Sequence, residues 1–319
     1  MLLAGRSLQG LGAALMSPAA LATVMTLFTG PSRGKALGVW SGLAAPARQQ
    51  AGTGQRGLDV PGAVLVTAGT AAAIYGLINV GSHGWAAAST VLPLVLAVVI
   101  WAVFAQLERR VRRPLLAVGL LRRRAVLGGS FLMLAATGLL VGGFFMGSFA
   151  LQHAHGYSAL DVGLVFLPVA VAIIAGAQAG TRALTRISAR IVAVAGLALA
   201  AAGYAVAAGW TQPAVMVTGL SLAALGIGAT FVTAFTAALS DAGPAEGGLR
   251  SALVNTFHEL GGAAGVAVLS SAAGAGLVTA HLGSHDFARA FAVAAVCAVV
   301  SLAIAVALVP AVRSQPRGR

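Results

Sequence analysis

Nine long apolar stretches, joined by short loops, run through this sequence, and its positive charge is confined almost entirely to every second loop. The stretches are Leu2–Phe28, Pro61–Val80, Ala86–Leu107, Val126–Ala150, Val162–Thr181, Ile191–Gly209, Ala214–Leu239, Ser251–Gly276 and Phe287–Val309. Each has about 19 residues or more, which as a helix rising 1.5 Å per residue crosses roughly 30 Å of hydrocarbon. The pattern predicts an all-α fold, a polytopic transmembrane helical bundle of about nine spans.

Composition excludes the alternatives. The chain is 59% hydrophobic and 8% charged, with mean hydropathy +0.93. A soluble domain carries about 25% charged residues to keep its surface wet, so the expected solvent here is lipid. A net charge of +13 and a pI near 11.8 raise nucleic-acid binding, but a nucleic-acid protein places Lys and Arg on a wet face with aromatic or polar partners. Here Arg6 lies within the first stretch and Arg289 opens the ninth, while the other 18 of 20 basic residues fall in the loops after stretches one, three, five and seven or in the C-terminal tail. The densest loop holds Arg109, Arg110, Arg112, Arg113, Arg122, Arg123 and Arg124. The positive-inside rule places these loops and the C-terminus in the cytoplasm and the N-terminus outside, and an odd number of spans requires such opposite ends. Cys297, the one cysteine, permits no intrachain disulfide or thiolate cluster and reads as a core thiol. Leu8–Phe28 is long for a signal peptide and lacks a convincing cleavage pattern. Of the 20 basic residues 19 are Arg, and Ala and Gly abound, which points to a GC-rich bacterial genome.

The regular pattern is interrupted near the start. Leu37–Ala45 begins like a further span and stops after nine residues, too short to cross. The polar, glycine-rich Pro46–Gly57 that follows has linker composition. Further on, small residues recur four apart at Gly138/Gly142, Gly143/Gly147, Gly176/Gly180 and Gly261/Gly265, where they allow helices to approach closely.

Charge within a membrane is expensive and draws attention to function. Arg6 and Gln9 share a face of the first stretch. In that setting Arg6 either finds a partner in a cavity or snorkels to the outer interface. Glu259 lies about 12 Å into the eighth stretch, with Asn255 one turn earlier and His258 beside it. Burial would raise the pKa of such a carboxylate, as a group that takes up and releases protons requires. The other reading is a protonated glutamate bonded to a neighbouring helix. His153, His155, His281, His285 and Asp286 fall in loops, and the His281-x-x-x-His285 spacing lacks the further ligands of a metal site. Nucleophile-elbow, phosphate-loop and zinc-protease patterns are absent, so neither an enzyme, a cofactor nor a metal is expected.

Several of these runs carry a resemblance. Gly5-Arg6-Ser7-Leu8-Gln9-Gly10-Leu11-Gly12-Ala13 resembles the Arg-x-x-Gln-Gly-x-Gly-Ala motif in the fourth span of the major facilitator superfamily, specifically its 14-span drug:proton antiporter branch. Arg33–Trp40 is similar to that branch's turn into the fifth span, and Arg56–Gly62 to its entry to the seventh. Leu151-Gln152…Gly156-Tyr157-Ser158-Ala159-Leu160…Leu167-Pro168 resembles the ninth-to-tenth connection, and Ser251–Ala267 the thirteenth span. The resemblance implies that the family's first three spans have no counterpart here and that the rest of the fifth and all of the sixth are missing between Ala45 and Gln55. It also leaves out the first-span acid of proton coupling, the loop motif between the second and third spans, and the Gly-Pro motif of the fifth. A degenerate copy of the loop motif runs through Gly180–Arg190.

On this basis residues 1–45 are expected to be a remnant of an N-terminal bundle and 46–60 a cytoplasmic linker. A two-span hairpin at 61–107, an Arg-rich cytoplasmic loop at 108–125, a six-span bundle at 126–310 and a cytoplasmic tail at 311–319 complete the division. The function implied is secondary transport across the plasma membrane, with proton-coupled efflux of drug-like or amphipathic small molecules. The proton-coupling or substrate-pathway candidates are Arg6, Gln9, Asn255, His258 and Glu259. The alternative is a non-transporting membrane relic or interaction protein. Expected partners are a small-molecule substrate, protons and the lipid bilayer, with no nucleic acid.

Overall fold

The computed structural model describes residues 60–108, 123–209, 212–240, 242, 246–274 and 284–311. The first apolar stretch, with Arg6 and Gln9, the 46–59 linker and most of the Arg-rich loop lie outside the described residues. Those described are helical almost throughout. In chain order the helices are α1 (Val60–His83), α2 (Ala88–Glu108), α3 (Arg124–His155), α4 (Ala159–Val165), α5 (Leu167–Leu184), α6 (Ala189–Ala208), α7 (Pro213–Leu239), α8 (Gly247–Ala273) and α9 (Ser284–Leu308). Each of the second to ninth apolar stretches coincides with a helix or, for Val162–Thr181, with most of a broken pair. Seven segments among the described residues are long and apolar enough to cross a membrane, counting α4 and α5 as the single segment Ala159–Leu184. The apolar part of α1, Val64–Val80, is shorter than these.

Local chemistry sets the helix ends. Gly156 adopts φ 69°, a left-handed conformation that a Cβ would oppose, and its N–H closes the end of α3 on the Gln152 carbonyl. Ser158 then starts α4 with a capping box: its hydroxyl accepts from the Asp161 N–H at 3.3 Å, while Asp161 Oδ2 accepts from the Ser158 N–H at 3.0 Å. The Gly156-Tyr157-Ser158 run is thus a stop followed by a start. Pro168 has no N–H and disfavours helical geometry just before it, and the helix breaks at Phe166 (φ −87°, ψ 0°).

Helices α3 to α9 form one bundle around a core of Leu, Met, Ala, Tyr204, Phe287 and Phe291. Helix α3 packs on α7, α8 and α9, and α7 packs on α5 and α6; the α1–α2 hairpin joins the bundle by packing α1 on α8. The outer surfaces of α2, α5 and α9 present Leu92, Val98, Val171, Ile174, Val296 and Val299. Such a surface suits hydrocarbon rather than water.

Two of the small-residue pairs meet each other. Gly138 and Gly142 of α3 face Gly261 and Gly265 of α8, so close that a Cβ on Gly142 would lie 2.8 Å from the Gly265 carbonyl carbon. A Cβ on Gly265 would run into the Gly138 carbonyl. Gly203 and Gly219 bring α6 and α7 together in the same way. Lipid supplies no hydrophobic drive to bring helices together, so this close packing is what holds them.

Arginines hold helix ends across the bundle. Arg190, in the first turn of α6, donates through Nε to the Val309 carbonyl just beyond α9 at 2.7 Å. Arg250, in the first turns of α8, donates to the Ala238 carbonyl at the end of α7 at 3.1 Å. Arg289, near the start of α9, donates to the Ala272 carbonyl and, at 3.1 Å, to that of Ala273 at the end of α8. Terminal carbonyls have no partner within their own helix and carry partial negative charge, so each guanidinium satisfies both needs.

Gly265→Val is expected to lower stability by at least about 1–3 kcal/mol, because the obstruction is backbone and no side chain can swing away. Gly163→Ala, in helix α4 where the added methyl meets open space, is expected to cost nothing and to raise stability by up to about 1 kcal/mol. Thermal unfolding of the two variants in detergent, read by intrinsic fluorescence, checks the contrast.

Candidate functional site

Three helices each turn one stripe of residues toward a common space. From α3 come Thr137, Val141, Phe145 and Phe149; from α1 come Ile74, Ile78 and Ser82; from α8 come His258, Glu259, Gly262, Ala263, Val266 and Ser270. The α3 and α1 sets step by four residues, the interval that keeps side chains on one helix face. The space they wall is a cavity of about 740 Å³, within the range of small-molecule sites. It extends from the middle of the helices toward the end opposite the Arg-rich one, since Thr137 to Phe149 spans roughly 18 Å along α3.

The walls are mainly apolar; Ser82 and Ser270 lie toward the outer end, and Thr137 and the titratable pair His258 and Glu259 lie at the inner end. Thr137 is buried, and its Oγ1 lies 2.9 Å from Nδ1 of His258 across the α3–α8 interface. The His258 ring also lies 6.0 Å from that of Phe231 on α7. Glu259 is exposed to the cavity and makes no hydrogen bond among the described residues. The structure therefore brings His258 and Glu259 together on the cavity wall. Asn255, one turn earlier, is half-buried and lies outside the lining. Arg6 and Gln9 fall outside the described residues. His153, His155 and His285 are exposed near the cavity-facing end of the bundle, Asp286 pairs with Arg289 at 3.7 Å, and His281 is outside the described residues. No group of three metal-ligating side chains occurs among the described residues. Cys297 is partly buried on α9 against the core.

A second polar cluster escapes sequence reading. Arg250 sits with the loop charges when hydropathy alone is considered, yet its side chain is fully buried. One Nη lies 2.6 Å from Glu246 Oε2, and the same carboxylate oxygen lies 3.5 Å from Arg123. A single acid thus ties the start of α3 to the start of α8. The i, i+4 spacing of Glu246 and Arg250 is the available sequence signal.

Long apolar helices packed through glycine, with a solute-sized cavity holding a carboxylate and an imidazole at mid-depth, define a multi-pass membrane protein of the carrier type. The sequence model described as Major Facilitator Superfamily matches residues 1–266. The chain belongs to that superfamily. It is 34% identical to the puromycin resistance protein of Streptomyces alboniger, over 95% of this chain and 69% of that protein. It is 30% identical to the cephamycin export protein of Amycolatopsis lactamdurans, over 99% of this chain and 75% of that one. It is 27% identical to the tetracenomycin C resistance and export protein of Streptomyces glaucescens, over 83% and 57% respectively. The chain thus spans between 57% and 75% of the length of these relatives. The first two alignments run over 357 and 374 positions against a chain of 319 residues, so the matched part of each relative contains residues this chain lacks.

Glu246→Ala is expected to destabilise the protein by about 1.5–3 kcal/mol, because it removes a charge-assisted hydrogen bond to the buried Arg250. Arg123→Ala, at the exposed side of the same oxygen, is expected to cost no more than about 1 kcal/mol. Unfolding midpoints of both variants in the same detergent check the ranking.

Proposed function

We propose that this chain is a proton-coupled secondary transporter that exports amphipathic, drug-like small molecules across the plasma membrane. The observation that carries the proposal is the cavity of about 740 Å³ whose apolar walls end on His258 and Glu259. Ile74, Ile78, Phe145 and Phe149 offer apolar and aromatic surface to the greasy part of a solute. Glu259 offers a carboxylate to a basic group, or to a proton in its place. Export requires that the two alternate at that carboxylate. The named activities of the relatives, resistance and export, support the direction of transport.

In this reading Arg6 and Gln9 tune the proton site, and Asn255 supports the α8 stripe behind His258 and Glu259. The N-terminus is outside and the C-terminus cytoplasmic, so the Arg-rich loops lie in the cytoplasm and the cavity opens outward. The division into an N-terminal remnant at 1–45, a linker, a hairpin and a six-span bundle is part of the same proposal. Alternating access needs two groups of helices that rock about a shared site. Helix α1 of the hairpin supplies the wall that faces α3 and α8 of the bundle.

Purified protein in proteoliposomes, given a proton gradient and ethidium as the probe, tests the proposal. Wild type is expected to move ethidium only when the gradient is present. Glu259→Gln is expected to lower that rate by at least about tenfold, the equivalent of losing one interaction of 1.4 kcal/mol, and to flatten its pH dependence. Absent movement in wild type would return the non-transporting reading, and gradient-independent movement would overturn the proton coupling. Orientation has its own check: cysteines placed one at a time at Arg113 and His155 in a Cys297→Ser background are expected to react with a membrane-impermeant maleimide in intact cells only at the second position.

A further inference from the structure

The bond between Thr137 and His258 joins two helices at the inner end of the cavity, and the tautomer of the ring decides which of the two donates. Thr137 Oγ1 lies 2.9 Å from His258 Nδ1 and 3.7 Å from Met133 Sδ, one turn back on α3. A hydroxyl carries one hydrogen. With that hydrogen directed at the Met133 sulfur, the oxygen presents its lone pairs to the ring, and Nδ1–H is the donor. The neutral imidazole then bears no hydrogen on Nε2. No described residue bonds Nε2, and the ring lines the cavity. Among the described residues the ring's neighbours add no other charge: Phe231 of α7 and Thr137 of α3 lie against it, and α1 and α3 line the same cavity with Ile74, Ile78 and Val141. Glu259, on α8 itself, is the one other titratable group among the described residues that line the cavity.

We propose that Thr137 is a positioning residue that holds His258 as the Nδ1–H tautomer, making Nε2 the atom that exchanges protons with the cavity. The use of this atom in transport rests on the reading given under Proposed function; the tautomer itself does not. The exchange balances simply. The Nε2 lone pair takes a proton from the cavity and the ring becomes imidazolium, while Nδ1–H continues to donate to Thr137. Release returns the proton to the cavity and restores the lone pair. No bond to the protein breaks in either direction, so the ring need not turn. A solute bearing an ammonium or hydroxyl group donates to the same lone pair, and the solute and the proton therefore exclude each other at one atom.

Nuclear magnetic resonance of the full chain in lipid nanodiscs, with 15N in the histidine rings, reads this directly, and a His258→Gln sample assigns the signals. Neutral wild-type His258 is expected to show a protonated Nδ1 and an unprotonated Nε2, and acidification is expected to move the Nε2 signal far more than the Nδ1 signal. Thr137→Ser, which keeps the hydroxyl, is expected to preserve that pattern. Thr137→Val, which keeps the shape, is expected to lose it and to alter the pH profile of ethidium export, with Thr137→Ser matching wild type. A neutral wild-type ring with hydrogen on Nε2 would overturn the proposal, and that measurement needs no variant to fold. An unchanged tautomer in Thr137→Val would overturn it as well, as would an unchanged export profile beside a changed tautomer. A wild-type protein that shows the expected tautomer and moves no ethidium would overturn the transport reading and leave the assignment of the ring standing.

Discussion

Everything in this bundle follows from the lack of water between its helices. Inside hydrocarbon each backbone N–H must be satisfied within its own helix. Once that is done, helices gain little by hiding apolar side chains from equally apolar lipid, and attraction rests on contact at short range. The crossing of α3 and α8 shows the consequence: Gly138 and Gly142 meet Gly261 and Gly265 with no side chain between them. The same crossing builds the cavity. Thr137 precedes Gly138, and His258 lies one turn before Gly261, so the turns that bring the two backbones together also bring Thr137 to within 2.9 Å of His258. Packing and site are one feature seen from two sides.

Hydropathy alone makes most of the fold legible. Stretches such as Ile191–Gly209 coincide closely with α6 at Ala189–Ala208, because a membrane span is read from sustained apolar content and needs no knowledge of tertiary contacts. The failures are local and physical. Val162–Thr181 reads as one rod, yet Pro168 divides it at Phe166. The start of α8 lies four residues before Ser251, because Arg250 looks like a loop charge until Glu246 and the Ala238 carbonyl are placed around it. The polar stripe on α8 was equally legible, but the depth of Glu259 alone leaves open whether it is bonded to a neighbour or faces a space. Thr137, 121 residues earlier in the chain than His258, carries no sequence signal at all. It is an ordinary threonine until the α3–α8 crossing is known.

The arginines show how one residue type answers two demands. In loops they bias orientation, a long-range effect of charge on insertion. At helix ends they do local work: Arg250, Arg190 and Arg289 reach the last carbonyls of α7, α9 and α8 respectively. Only the second role requires a specific geometry. Lysine, a compact charge on a flexible stem, lacks the planar fork that lets Arg250 bind a carbonyl with one nitrogen and a carboxylate with another. The strong bias toward arginine thus has structural consequences wherever a guanidinium bridges two partners, whatever set the composition of the chain.

This division of labour sharpens the reading of the cavity. The arginines of the described residues lie at the two ends of the bundle, and those that are bonded are committed to carbonyls or to Glu246 and Asp286. None lines the cavity. Among the described residues Glu259 therefore faces that space with no guanidinium on the cavity wall, and His258 sits beside it with one nitrogen engaged and one open. A carboxylate built only for structure would be expected to have been given a partner, as Glu246 was, because an unpaired charge beside apolar walls costs free energy that packing must offset. Two carboxylates on one helix, thirteen residues apart, thus meet opposite fates. Glu246 is held by two arginines at the rim, and Glu259 stays open to whatever the cavity admits. That contrast supports the proposal that proton and solute exchange take place at the inner end of the α3–α8 crossing.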